Sequence, residues 1–116
     1  MPEPIAAHVL EKLYNDLGAD EAVVRDLIAT FLNEAPNLVH DIQNALAKNE
    51  ALVFERAAHT LKSASATVGA MELSAVAKEL EAVGHGGNLA TGAPKVETLR
   101  GLLEGAREGL EHWHPA

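Results

Sequence analysis

The segment RAAHTLKSASATVGA, Arg56 to Ala70, sets one imidazole, His59, and one ammonium, Lys62, a helical turn apart among alanines, serines and threonines. An imidazole with an ordinary pKa of about 6.5 is partly neutral near neutral pH, so it can attack as a nucleophile. An ammonium three residues further on can offset negative charge on a group the ring receives. Short neighbours add a third property, because a flat surface around an imidazole suits a partner that must bring its own reactive group to the ring. Serine-hydrolase chemistry does not fit. No serine sits in a nucleophile elbow, and no motif fixes an orienting acid for His59.

The helix that must carry these groups has no breaker between Glu50 and Val68. At about 100° per residue, with Leu61 at the centre of the core face, Phe54, Ala57, Ala58, Ala64, Ser65 and Val68 fall within about 60° of it. His59 lies about 160° away on the same wheel, with Lys62, Ser63 and Ala66 on the outer surface beside it. Gly69 and Ala70 then reverse the chain. In an antiparallel pair, positions whose numbers sum to about 140 come level, which puts Glu81 beside His59 and Lys78 beside Lys62.

The remaining segments read as helices too, and none alternates like a strand. Ile5, Val9, Leu10, Leu13 and Leu17 form a first stripe that stops at Gly18. Asp20 predicts the N-cap of a second helix, with Val24, Leu27, Ile28 and Phe31 on one face. Pro36 suits the first turn of a third stripe, Leu38, Ile42, Ala45 and Leu46, which ends near Asn49. Leu73, Val76, Ala77, Leu80 and Val83 mark the helix after Gly69. Residues 84–94, GHGGNLATGAP, read as a loop before a last helix from Val96 to Trp113. The expected fold is all-α, an antiparallel up-and-down four-helix bundle with an additional N-terminal helix. It forms one domain over residues 1–116, with the extra helix in 1–18 and the bundle in 20–113.

Composition narrows the function. A formal net charge of -8 and a pI near 5.1 argue against nucleic acid or an anionic membrane surface as partner. With 47% hydrophobic residues and 3% aromatic ones, the core must be built mostly of Leu, Val, Ile and Ala. There is no cysteine for a disulfide, a thiolate metal site or a thiol nucleophile. No apolar run approaches the roughly 20 residues of a membrane helix, and MPEPIAAHVLEKL lacks the form of a secretory signal. A cytoplasmic, monomeric protein is therefore expected. His112, His114 and His85 lack the spacing of a metal site and read as surface histidines. The adjacent glycines of HGGN follow a helix rather than a strand, unlike a phosphate-cradling loop. The acidic face from Glu72 through Glu79 to Glu81 reads as a solvated surface.

The stretch AAHTLKSASATVGAMELSAVAKELE, Ala57 to Glu81, resembles the signature of histidine-containing phosphotransfer (HPt) domains, approximately A-H-x-L-K-G-x-S-x-x-x-G-A-x-x-L followed by L-E. Ala58, His59, Leu61, Lys62, Ser65, Gly69, Ala70, Leu73, Leu80 and Glu81 carry the match. LIATFLNEAPNLVHDIQNAL upstream and GNL downstream extend it over nearly the whole chain. The resemblance implies that His59 accepts a phosphoryl group from an aspartyl phosphate on a response-regulator receiver domain and passes it to another. It also implies that Lys62 positions and neutralises that group. Ser63, Ala66, Glu55 and Glu81 are the expected docking residues. Ser63 departs from the commoner family glycine, which bears on rate or partner choice. The expected partners are receiver domains and a hybrid histidine kinase, and no cofactor is expected on this chain. Mg²⁺ and most of the catalytic apparatus belong to the receiver, so the protein is a phosphocarrier more than an enzyme.

Rival readings are an excised domain of a hybrid kinase, a helical adaptor that binds partners without phosphorylation, and a kinase dimerisation domain. Met1 and the full helical pattern favour a free-standing protein. The presence of both His59 and Lys62 speaks against the adaptor, and the lack of an ATP-binding region against the dimerisation domain.

Overall fold

A computed structural model describes residues 4–116. Five α-helices follow one another: α1 (Ala7–Asp16), α2 (Glu21–Lys48), α3 (Ala51–Thr67), α4 (Met71–Gly86) and α5 (Ala93–Glu111), with a single 3₁₀ turn at Leu89–Gly92. No strand occurs among the described residues. Short connections make α2 to α5 antiparallel neighbours, and α2 and α5 close the bundle by packing on each other. The expected N-terminal helix is α1, laid against α2. The first three residues of its expected span, 1–3, lie outside the described residues.

Two expectations from the sequence are corrected. Residues 21–48 form one helix rather than two, and Pro36 lies in its interior instead of opening a third stripe. Proline removes one intrahelical donor and leaves the carbonyl four residues earlier without its backbone partner. That carbonyl belongs to Leu32, and the Arg107 guanidinium on α5 donates to it at 3.5 Å. The buried stripe Phe31, Ala35, Val39, Ile42 and Ala45 runs unbroken past the proline, so packing holds both halves in one line. The second correction concerns the loop. Gly84 to Gly86 belong to α4, and the connection shrinks to Gly87, Asn88 and the 3₁₀ turn, whose Leu89 is buried.

Other local signals act as expected. The Asp20 carboxylate accepts from the backbone N–H of Ala22 at 3.0 Å and of Val23 at 3.3 Å, satisfying two orphan donors of α2. Gly69 ends α3 with φ +80, and its carbonyl accepts the Ala6 N–H at 2.8 Å, which ties the start of the chain to the α3–α4 corner. Phe54, Ala57, Ala58, Leu61, Ser65 and Val68 are buried, as the wheel of α3 requires, and Ala64 is half-buried.

The feature that sets the site is the closeness of α3 and α4. At Gly84 an added Cβ would lie 2.9 Å from the Cα, Cβ and N atoms of Glu55. Glycine here serves close approach, since only a helix without a side chain can come that near the neighbouring backbone. The Ser74 hydroxyl donates to the Lys62 carbonyl at 2.8 Å and joins the same two helices nearer the corner. Gly84→Ala should therefore destabilise the bundle by about 1–3 kcal/mol through overpacking, although alanine is the better helix former. Urea unfolding of the variant beside the parent checks this; a gain in stability would mean that α4 can shift at no cost.

Candidate functional site

His59 projects from the outer face of α3, its side chain 60% exposed. Nδ1 of the ring is bonded to Oε2 of Glu81, and the Lys62 ammonium donates to Oε1 of the same carboxylate at 2.6 Å. One acid from α4 thus bridges two bases of α3. The sum-of-numbers register is met by His59 and Glu81, and by Glu55 and His85, whose Oε1 and Nδ1 lie 3.3 Å apart. Lys78, expected level with Lys62, is exposed and takes no part.

The chemistry follows from donor and acceptor counting. The Lys62 hydrogen bond, reinforced by that from His59, holds the Glu81 carboxyl below its ordinary range against the opposing effect of burial. An ionised carboxylate only accepts, so Nδ1 of His59 must carry the ring proton. In the neutral ring Nε2 is then left with its lone pair and no proton. The sequence reading of the acidic face is corrected at this point. Glu72 and Glu79 are exposed, but Glu81 is only 24% exposed and fully engaged.

Around the ring lies an open depression of about 430 Å³ lined by Leu52, Glu55, Arg56, His59, Thr60 and Glu81. Ser63 is exposed, leaving a low surface on the C-terminal side of the ring. Ala66, expected to be bare, is half-buried and faces a groove shared with His8, Val9, Lys12 and Leu13 of α1. Leu52 and Arg56 were not singled out in the sequence. Their spacings of seven and three residues before His59 would have placed them on its face. Among the described residues no group of three or more His, Asp or Glu side chains is placed to hold a metal ion. His85 lies in the last turn of α4 rather than in a loop. The His112 Nδ1 bonds the Glu108 carbonyl at 2.7 Å, and that of His114 lies 3.3 Å from the Arg25 guanidinium.

The segment that carries this arrangement lies within a match to a known family. The family model for the Hpt domain matches residues 26–109. The chain belongs to the Hpt domain family. This Hpt domain is similar in fold to the histidine-containing phosphotransfer protein B (HptB) from Pseudomonas aeruginosa PAO1. The TM-score is 0.86 at 22% identity, covering 96% of this chain and 94% of that one. It is also similar to the HPT domain from the Hpt sensor hybrid histidine kinase from Shewanella, with a TM-score of 0.74 at 17% identity and 91% and 93% of the two chains covered. A comparison with curated proteins gives no match. As an Hpt domain the protein serves histidine phosphotransfer in a phosphorelay, in a family of phosphocarriers that work with receiver domains. No described helix is long and apolar enough to cross a membrane.

The Glu81 bridge gives a pH dependence with a definite sign. Because its folded-state pKa is lowered, its stabilisation is fully present above the ordinary carboxylate value of 4.5 and is lost as pH falls through the lowered folded value. Glu81→Gln should cost less than about 1 kcal/mol at neutral pH, since the partners are partly solvated. The gap between variant and parent should close below about pH 4.5. Denaturant melts at stepped pH check it, and a gap that widens in acid would contradict the assignment.

Proposed function

We propose that His59 is the phosphoryl acceptor of this Hpt domain and that the attacking atom is Nε2. The observation that supports this is the Glu81 bridge, which holds a proton on Nδ1, so that in the neutral ring the solvent-facing nitrogen carries the free lone pair. In the transfer, the Nε2 lone pair forms a bond to phosphorus while the bond from phosphorus to the aspartyl oxygen of the receiver breaks. The aspartate departs as a carboxylate. The ring, now phosphorylated on Nε2 and protonated on Nδ1, carries positive charge beside the Glu81 carboxylate, which stabilises it. Delivery to a second receiver is the same step in reverse. Lys62 can turn its ammonium from Glu81 toward the phosphoryl oxygens, the positioning role the resemblance gives it.

Receiver domains are the direct partners on this reading, and a hybrid histidine kinase is the upstream source. Ser63, Glu55 and Glu81 form the face the receiver meets, with Ala66 at its edge toward α1 and Mg²⁺ held by the receiver. Residues 1–116 act as one domain, a monomer in the cytoplasm. An adaptor that binds without phosphorylation would have no use for a carboxylate on Nδ1, so the phosphocarrier reading accounts for more of the site.

Incubation with a phosphorylated receiver should place an acid-labile label on the protein, as a phosphoramidate requires, and His59→Gln should abolish it without lowering the melting temperature. Label that persists in the variant would assign the chemistry to another residue. The docking face has its own test at Ser63, the bare position beside the ring. Ser63→Gln should change stability by less than about 0.5 kcal/mol, because the site is exposed. Transfer from a receiver should nonetheless fall severalfold, while labelling by a small phosphodonor stays near the parent level. Unchanged receiver transfer would move the docking surface elsewhere.

A further inference from the structure

Lys62 is the cation the family pattern supplies, yet in this structure its ammonium is committed to Glu81 at 2.6 Å. The other carboxylate near the ring, Glu55, is occupied by His85 at 3.3 Å. One cation in the depression remains: Arg56, exposed, whose guanidinium makes no hydrogen bond or ion pair among the described residues. Its place on α3 is informative. Three residues before His59, it lies about 60° to one side of the ring, whereas Lys62, three residues after, lies about 60° to the other, on the α4 side. Helical side chains lean toward the N-terminus, so the imidazole reaches out over the turn that bears Arg56 and away from the Lys62 backbone. The depression is lined by that same N-terminal turn and not by Lys62.

We propose that Arg56 is a second phosphoryl-binding residue, gripping the equatorial oxygens of the group on Nε2 from the side opposite Lys62. The inference rests on His59 being the acceptor. A guanidinium presents planar, paired N–H donors that match two phosphoryl oxygens, and it stays charged at every working pH. Cβ atoms three apart on a helix are about 5–6 Å from each other, within the span of an arginine side chain. Arg56 makes no bond of its own that must break first, whereas Lys62 must leave or share Glu81. Its grip therefore strengthens as negative charge arrives and changes the unphosphorylated state little.

The test separates phosphoryl binding from docking by using phosphoramidate, a small donor whose P–N bond breaks with loss of ammonia and which needs no docked partner. Arg56→Ala should lower the rate of phosphohistidine formation from phosphoramidate about three- to tenfold, and Arg56→Lys should recover part of it. In ³¹P NMR the second ionisation of the phosphoryl group should move to higher pH in Arg56→Ala, because removing a nearby cation disfavours the dianion, and should move back in Arg56→Lys. Circular dichroism and melting temperature should stay at parent values. If phosphoramidate labelling and the ³¹P titration of Arg56→Ala match the parent while receiver transfer falls, Arg56 is a docking residue and the proposal is overturned. If all three match the parent, it is overturned outright. Failure of the parent protein to be labelled at His59 would instead overturn the acceptor assignment itself, a result distinct from either.

Discussion

Everything at the site depends on one carboxylate reaching two bases on a neighbouring helix. Glu81 can bond Nδ1 of His59 with one oxygen and the Lys62 ammonium with the other only if α4 lies close to α3 and in one register. The Gly69–Ala70 corner fixes the register, and the bare backbone of Gly84 against Glu55 fixes the distance. A one-residue slip of α4 would swing Glu81 by about 100° and leave both bases without their acid. The rest of the bundle can be seen as backing for this pair. The long α2 and the adjacent α4 pack on α3 and bury its apolar stripe, while α5 closes the bundle on α2 and α4, so the outer face of α3 is backed by a core although it is exposed.

The bridge also governs charge. A chain of formal net charge -8 would repel a phosphoryl group if its acids were spread evenly around the ring. Both acids near His59 are instead tied to bases, Glu81 to His59 and Lys62, and Glu55 to His85. Beside these paired acids, the depression presents an incoming anion with the imidazole and the Arg56 guanidinium. On the proposal that His59 is the acceptor, the carboxylate bonded to Nδ1 becomes the counter-ion of the ring once the ring turns cationic, so a single group serves the states before and after transfer.

Much of this was legible in the sequence because helical period carries both burial and facing. The wheel centred on Leu61 gave the buried set of α3 and put His59 outside it, and simple antiparallel arithmetic found Glu81 twenty-two residues away. What failed was punctuation. Pro36 and the glycines from 84 to 87 are breakers by local propensity, yet a continuous apolar stripe carried α2 through the proline, and α4 used Gly84 for contact instead of for a turn. Tertiary packing outweighed local preference at both places. Ala66 is less exposed than expected for a related reason: a wheel knows one helix, and Ala66 borders a groove that α1 shares. The two roles of Glu81 were equally out of reach, since a solvated acid and a bridging acid look alike until the neighbouring helix is in place.

A carrier must also hold its group against water, and the geometry bears on that. Hydrolysis of a phosphohistidine is helped by a base that can activate water in line with the N–P bond. The carboxylate nearest to the ring, Glu81, is engaged on the Nδ1 edge, on the other side of the imidazole from Nε2. Glu55 is paired with His85, and Lys62, being cationic, cannot take a proton. Of the other polar groups lining the depression among the described residues, the Arg56 guanidinium is a cation and cannot act as a base, and the Thr60 hydroxyl already donates to the Arg56 carbonyl at 3.1 Å. To a phosphoryl group on Nε2, as proposed, the site therefore presents nearby cations and no free base to send water against it. An aspartate can act on that group only when a partner presents it at close range, and the exposed, low surface at Ser63 leaves room for that approach.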